Sequence, residues 1–309
     1  MKILFMGTPD FARECLRAVH ANKNAEIVGV VTQPDKPKGR GMKMIAPPVK
    51  VYAEEAGLPV YQPVTLKDGA FEEELCRLAP DMIIVAAYGK ILPPYVIDYP
   101  KHGCINAHAS ILPRHRGAAP INRAIMEGDS ETGVTAMYMD YGLDTGDMIL
   151  TLTTPITEED DLESLHDRLA ILGGEAMSRV VDMACEGCLP RTPQPEEGAT
   201  YAAKITKEDA ALDFNRTAEE LCCQIRGLFG GGITHTPDGR LLKVTSAHKG
   251  DTCPACECGT VTSIDNGEIT VSCGSGSICF TSVVPEGKGR MSAADYIRGR
   301  KISKGDHLE

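Results

Sequence analysis

No apolar run in this 309-residue sequence approaches the length of a membrane span. The opening "MKILFMGTPDF" lacks the basic start and small-residue cleavage site of a secretory signal, and reads as a buried strand entering a tight turn. The expectation is a cytoplasmic protein with no membrane partner. The turn after that strand carries a single glycine, Gly7, with no G-x-G-x-x-G, and there is no Walker sequence. A dinucleotide or a nucleoside triphosphate is therefore not indicated. No serine or cysteine sits in a nucleophile-elbow context, so nothing requires covalent catalysis. Tryptophan is absent, aromatic residues make up 5% of the chain, and the net charge is −11. A body of that sign repels nucleic acid through its overall field, so any such binding must use local basic patches.

What is present suffices for a sizeable core and two domains. The chain is 42% apolar and 24% charged, a globular profile. Its twelve cysteines are read as reduced thiols, since most sit singly in apolar surroundings. The exception is "CPACEC", with Cys253, Cys256 and Cys258, followed by Cys273 and Cys279. That run could hold zinc, but no second C-x-x-C completes the set, so no metal is assigned. Leu308 and Glu309 read as a cloning remnant outside the fold.

In the first half, apolar strands such as "KILFMG", "PDMIIVAAYG" and "GCINAHAS" alternate with helical spacing. Alternation of this kind implies a parallel sheet covered on both faces, with ligands beyond the carboxyl ends of the strands. Thr8 is placed to cap the first helix, with Pro9 at its first position. Thr157 and Asp160 resemble a capping box for a helix running to Gly173-Gly174, with a further helix after it. "LPRTPQPEEGATYAAK" has three prolines and no periodicity, as a linker does. Short strands follow, with Asp265-Asn266-Gly267 as a hairpin turn. The expected class is α/β. A Rossmann-like, doubly wound, mostly parallel domain spans 1–188, a linker 189–205, and a small OB-like β-barrel 206–307.

Three polar stretches follow apolar strands. "TQPDKPKGRGMKMIAPPVK" is a long basic loop, and such loops in compact domains are functional or disordered. A second basic island lies at 285–305; on charge alone, both islands are more often solvated loops. In "CINAHASILPRHRG", Asn106 and His108 stand two residues apart on one strand face. "MDYGLDTGDM" offers Asp140, Asp144 and Asp147 between glycines. An asparagine amide, a histidine and an aspartate can together promote attack of an amine on a carbonyl. A lone strand-end histidine is more often structural, however, and spacing alone cannot join residues this far apart.

"NAHASILPRHRGAAPINRAI" with the later "GDSETGVTAMYMDYGLDTGDMI" resembles the formyltransferase family that uses 10-formyltetrahydrofolate. The likeness extends to "MGTPDFA" and to the basic loop, and covers essentially the whole chain. That loop is similar to the insertion in the branch acting on methionyl-tRNA. The resemblance implies a monomer that formylates the α-amine of initiator methionyl-tRNA. In it Asn106 polarises the formyl oxygen, His108 handles the amine proton and Asp144 orients His108. Ser110, Ile111, Leu112 and Pro113 match the folate-lining segment. Ala87, Tyr88, Gly89 and Asp140 match the loops that cradle the pterin. Lys36, Lys38, Arg40 and Lys43 match the loop that engages the acceptor stem. The family's Asn-Pro-Trp-Pro is replaced here by "FGGG", which leaves backbone electrostatics as the main tRNA contact in the C-terminal domain. Two other readings are an amino-sugar-nucleotide formyltransferase and an RNA-binding module without catalysis. Retention of Asn106, His108 and Asp144 together speaks against the latter.

Overall fold

The computed structural model describes residues 1–38, 42–250, 256–299 and 301–309. Arg40 and Cys253 lie outside the described residues. The chain divides into two compact units. The first comprises Met1–Pro120, Glu131–Pro155 and Leu165–Ala202; the second comprises Ile121–Ser130, Ile156–Ser164 and Ala203–Glu309.

The first unit begins with β1 (Lys2–Gly7), α1 (Asp10–Ala21) and β2 (Glu26–Val31). A hairpin of β3 (Lys36–Lys38) and β4 (Lys43–Ile45) comes next, then α2 (Pro48–Glu55), β5 (Val60–Tyr61) and α3 (Glu72–Leu78). After these run β6 (Met82–Ala86), α4 (Pro94–Ile97), β7 (Cys104–His108) and β8 (Arg116–Gly117). Helix α5 (Pro120–Met126), which from Ile121 onward belongs to the second unit, leads to β9 (Glu131–Tyr138) and β10 (Met148–Pro155), followed by α6 (Leu162–Cys185), in the first unit from Leu165, and β11 (Tyr201–Ala202).

Seven strands form one sheet in the order β10-β9-β7-β6-β1-β2-β5. The five from β7 to β5 are parallel, while β9 and β10 add antiparallel to one edge. Every residue of β6 is buried, as its continuous apolar run requires of a strand covered on both faces. The chain leaves β1 toward β2 on one side and returns to β6 on the other. The carboxyl ends of β1 and β6 therefore flank a switch in strand order, the usual place for a ligand crevice.

Several local expectations are corrected. Thr8 does not cap α1; its hydroxyl donates to the Tyr88 carbonyl at 3.1 Å and ties the β1 loop to the β6 loop. Helix α6 starts at Leu162, where the Asp161 carboxylate accepts from the N–H groups of Glu163 and Ser164, while Thr157 pairs with Asp160 ahead of it. The helix then runs unbroken through Gly173 and Gly174. Both glycines permit close packing on α1: a Cβ at Gly173 would stand 2.9 Å from Phe11, and one at Gly174 2.9 Å from Ala18. The proline-rich stretch is anchored to the first unit, with Thr192 bridged to Met148 and β11 paired to β8.

The second unit contains α7 (Ala218–Arg226), β12 (Gly232–His235), β13 (Leu241–Gly250), β14 (Val261–Ser263) and β15 (Ile269–Ser272). It ends with β16 (Ser277–Pro285), β17 (Met291–Ser292) and α8 (Ala293–Arg298). The strands make an antiparallel sheet, β12-β13-β16-β15-β14, with β17 on β16. It curls into a half-barrel whose core includes Leu221, Val244, Ile269, Ile278 and Phe280. Between β14 and β15, Asn266 and Gly267 take positive φ, 56° and 79°, the conformation that a tight hairpin turn demands. Leu308 does not lie outside the fold: it is buried in this core, and the last residues bond to Gly259 and His235. No described helix is long and apolar enough to cross a membrane.

Candidate active site

Strand β7 carries Asn106 and His108 toward the carboxyl edge of the sheet. Antiparallel β9 sets Met137 opposite Asn106 and Thr135 opposite His108. His108 is buried, and Nε2 lies 2.9 Å from the His115 carbonyl. A carbonyl only accepts, so Nε2 carries the proton and the Nδ1 lone pair remains for chemistry. Nδ1 lies 3.6 Å from Asp144 Oδ2. The same oxygen accepts the Gly117 N–H at 2.8 Å, which fixes the carboxylate. Asn106 is half-buried, and among the described residues its carboxamide has no hydrogen-bond partner. The structure thus brings His108 and Asp144 together across 36 positions of sequence, with an available amide on the same strand.

The loop that presents Asp144 is held from outside. Asp144 has φ +53°. A non-glycine residue there costs about 1 kcal/mol and persists only where its surroundings impose it. The imposing group is Gln194: its Nε2 donates to the carbonyls of Asp144 and Gly146, both at 2.8 Å. Its Oε1 accepts from Nε of Arg116 at 3.0 Å. Arg116 is only 1% exposed, so this guanidinium works as an internal strut. His115, two residues before Gly117, is buried at φ +58° and aims its carbonyl at His108. Thr200 Oγ1 accepts its N–H at 2.9 Å. Gln194, Arg116 and Thr200 escaped sequence reasoning because the first and last lie in the proline-rich stretch, where no periodicity marks them.

The segment after His108 is sorted by burial. Ser110 and Leu112 point inward, while Ile111 and Pro113 are part-exposed. Ser110 Oγ donates to the Arg114 carbonyl at 2.7 Å. Thr135 Oγ1 donates to the Ser110 carbonyl at 2.7 Å and accepts the Leu112 N–H at 3.2 Å. The "AAYG" loop is pinned through the Tyr88 carbonyl, which accepts from Gln33 Nε2 at 2.8 Å and from Thr8. The Tyr88 ring itself packs in the core, where burial pushes its phenol up to about 12. Ala87 is left exposed at the turn with φ +42°. Gly89 has φ +78°, a backbone that favours glycine, and a Cβ there would push Gln33 Nε2 from 2.6 Å.

Asp140 is not brought to His108. Its carboxylate accepts from the Gly142 N–H and the Thr145 hydroxyl, and it lines a separate recess of about 320 Å³ beside Lys101 and Tyr141. In the β3–β4 hairpin Lys36 and Lys43 are exposed, with Lys36 donating to Gln33 Oε1 at 2.7 Å. Lys38 pairs with Lys43 in its backbone register. The hairpin also exposes Met42, Met44 and Ile45, which the charge pattern did not single out.

The sequence matches the formyl transferase model over residues 1–181 and the formyl transferase C-terminal domain model over 204–301. A methionyl-tRNA formyltransferase of Geotalea daltonii is 44% identical, covering all of this chain and 98% of its own. One from Marinobacter nauticus is 46% identical, covering 97% of each chain. In fold, an N-formyltransferase of Helicobacter canadensis, solved with folinic acid and dTDP-3-aminofucose, superposes with a TM-score of 0.68 at 19% identity. That match covers 91% of this chain and 98% of the other. HypX of Aquifex aeolicus, solved with tetrahydrofolic acid, gives 0.61 at 15% identity over 96% of this chain and 47% of its own.

Proposed function

The chain belongs to the methionyl-tRNA formyltransferase family, and from that premise we propose how its residues divide the reaction. It is an enzyme that transfers a formyl group to methionyl-tRNA, using a folate-type donor. Our reading takes 10-formyltetrahydrofolate as that donor and the initiator tRNA as the acceptor, with the enzyme acting as a cytoplasmic monomer. It takes the first unit as a Rossmann-like catalytic domain and the second as an OB-like barrel that meets the tRNA backbone.

In this reading the methionyl amine attacks the formyl carbon, and the carbonyl oxygen gains negative charge. The Asn106 amide donates to that oxygen; such a donor contributes about 3–4 kcal/mol where charge develops. His108 Nδ1 accepts the proton that the amine sheds. The new imidazolium faces Asp144, whose charge stabilises it. Collapse of the tetrahedral adduct breaks the bond to the folate nitrogen, which takes up the proton held by His108 as it leaves and so restores the neutral imidazole. Ile111, Pro113 and Ala87 lie on exposed edges from which folate can be reached. Ser110, Leu112, Tyr88 and Gly89 shape those edges from within, and Asp140 keeps its loop folded. Lys36, Lys38, Arg40 and Lys43 neutralise acceptor-stem phosphates.

The observation that carries this reading is the His108–Asp144 pair beside an unpartnered Asn106 amide. Its test is one assay with 10-formyltetrahydrofolate and three acceptors: methionyl-tRNA, free methionine and an amino-sugar nucleotide. Formylation confined to methionyl-tRNA is expected. Comparable turnover of the sugar would replace the acceptor assignment, and no turnover with this donor would replace the donor.

A further inference from the structure

We propose that the second unit binds one zinc-type divalent ion through His248, Glu268 and Cys279, a site separate from formyl transfer. The three side chains come from neighbouring strands. His248 of β13 and Thr270 of β15 both lie opposite Cys279 of β16. Directly opposed residues share a sheet face. Glu268 has extended backbone two residues before Thr270, so it joins that face as well. The alternate residues Ile269, Val271, Ile278 and Phe280 belong to the core on the other face.

The donor atoms of His248, Glu268 and Cys279 all lie within 4.8 Å of one another. His248 Nε2 stands 3.1 Å and 3.2 Å from the two Glu268 oxygens. Donors around a tetrahedral zinc ion are separated by about 3.3–3.8 Å, given metal–ligand lengths of about 2.0–2.3 Å. The cluster therefore needs adjustments of no more than about 1 Å, within the reach of side-chain rotation.

The orientation of His248 supplies a second argument. Its Nδ1 lies 2.9 Å from the Lys249 carbonyl, which can only accept. Nδ1 is thus the protonated nitrogen, and the Nε2 lone pair points at a carboxylate. At 3.1 Å and 3.2 Å, within hydrogen-bond distance, these two electron-rich groups are stabilised by a cation between them, either a proton or a metal. A backbone carbonyl behind the distal nitrogen is also the usual support of a metal-bound histidine.

A histidine–glutamate pair alone is ordinary at a protein surface. Here it has a thiol beside it. Cys279 is 6% exposed on the face away from the core, with the Thr270 hydroxyl 3.5 Å from its sulfur. Cys256, from the "CPACEC" run, lines the same cavity of about 670 Å³. Mixed nitrogen, oxygen and sulfur ligands favour zinc over magnesium or calcium. Binding displaces to solvent the Cys279 thiol proton and the proton shared by His248 and Glu268, and changes no oxidation state. The ion would link β13, β15 and β16 across the sheet.

The full-length chain, produced in zinc-supplemented medium and dialysed against a weak chelator, is assayed for metal by mass spectrometry. About one equivalent of zinc is expected. His248→Ala and Cys279→Ser should each lose it, with affinity falling by at least about tenfold. Cys185→Ser, altering the separate exposed C-x-x-C of the first unit, should retain it. His248 is an exposed position, and an unchanged circular dichroism spectrum in His248→Ala separates loss of metal from loss of fold. With cobalt in place of zinc, a thiolate-to-metal charge-transfer band should appear and vanish in Cys279→Ser. The proposal is overturned if the wild type holds no stoichiometric zinc. It also fails if His248→Ala and Cys279→Ser retain as much as the wild type.

Discussion

Replacing Gln194 tests whether the catalytic loop is held in place from the proline-rich stretch. Gln194→Ala removes two donated bonds of 2.8 Å and one accepted from a buried guanidinium. Neutral bonds contribute about 1 kcal/mol each and a charged one about 1.5–3, so stability should fall by about 3.5–5 kcal/mol. Gln194→Glu is the sharper variant. It still accepts from Arg116, so most of the stability is kept, but it cannot donate to the carbonyls of Asp144 and Gly146. Asp144 then keeps the Gly117 N–H on its carboxylate but loses the groups that impose its left-handed backbone, so the carboxylate shifts relative to His108. A displacement of about 1 Å at a reacting group costs up to 100-fold in rate. Single-turnover formylation by rapid quench should therefore drop about 10–100-fold in Gln194→Glu, with donor and tRNA affinities little changed. If Gln194→Glu reacts at the wild-type rate, the strut has no part in positioning Asp144.

Thr135→Val removes the hydroxyl that bridges Ser110 and Leu112. It should raise the KM for the folate donor and shift the urea midpoint by about 1–3 kcal/mol equivalent; an unchanged KM would separate that segment from donor binding. Arg123 holds the Asp209 carboxyl below the usual carboxylate range through a 2.7 Å bond. That stabilisation is present above the unfolded value of about 3.9 and is lost as pH falls through the lower folded value. Thermal melts of wild type and Arg123→Ala should differ most near neutrality and converge in acid; a constant gap would contradict the assignment. In Lys43→Ala, the KM for tRNA should rise and its dependence on log salt concentration should flatten by about 0.7–0.9, while the folate KM stays level. Salt-insensitive tRNA kinetics in the wild type would rule out phosphate contact by the hairpin.

Strand β6 was legible because continuous burial writes a continuous apolar run. The antiparallel turn at Asn266-Gly267 was legible because few residues accept its backbone. Gly173 and Gly174 misled for the opposite reason: as the last residues of a periodic segment they look like a stop. In fact they let α6 approach α1. Thr8 offered a cap on paper, yet its hydroxyl met the Tyr88 carbonyl, a partner 80 residues away. The candidate site shows the same division. Asn106 and His108 share a strand, so alternation puts them on one face. Asp144 reaches His108 only through the path of its loop, which no spacing rule encodes. Gln194 could not be found from periodicity, because its role lies in one side chain meeting two carbonyls. The buried ring of Tyr88 marks a further limit, since a motif position can serve a site by its backbone alone.

The most direct test of the account is single-turnover transfer from 10-formyltetrahydrofolate to methionyl-tRNA by Asn106→Ala, His108→Ala and Asp144→Asn, with donor and tRNA binding measured alongside. The account predicts that each variant loses at least about 100-fold in rate while both dissociation constants stay within a few-fold of wild type. A His108→Ala enzyme that formylates at the wild-type rate would contradict it.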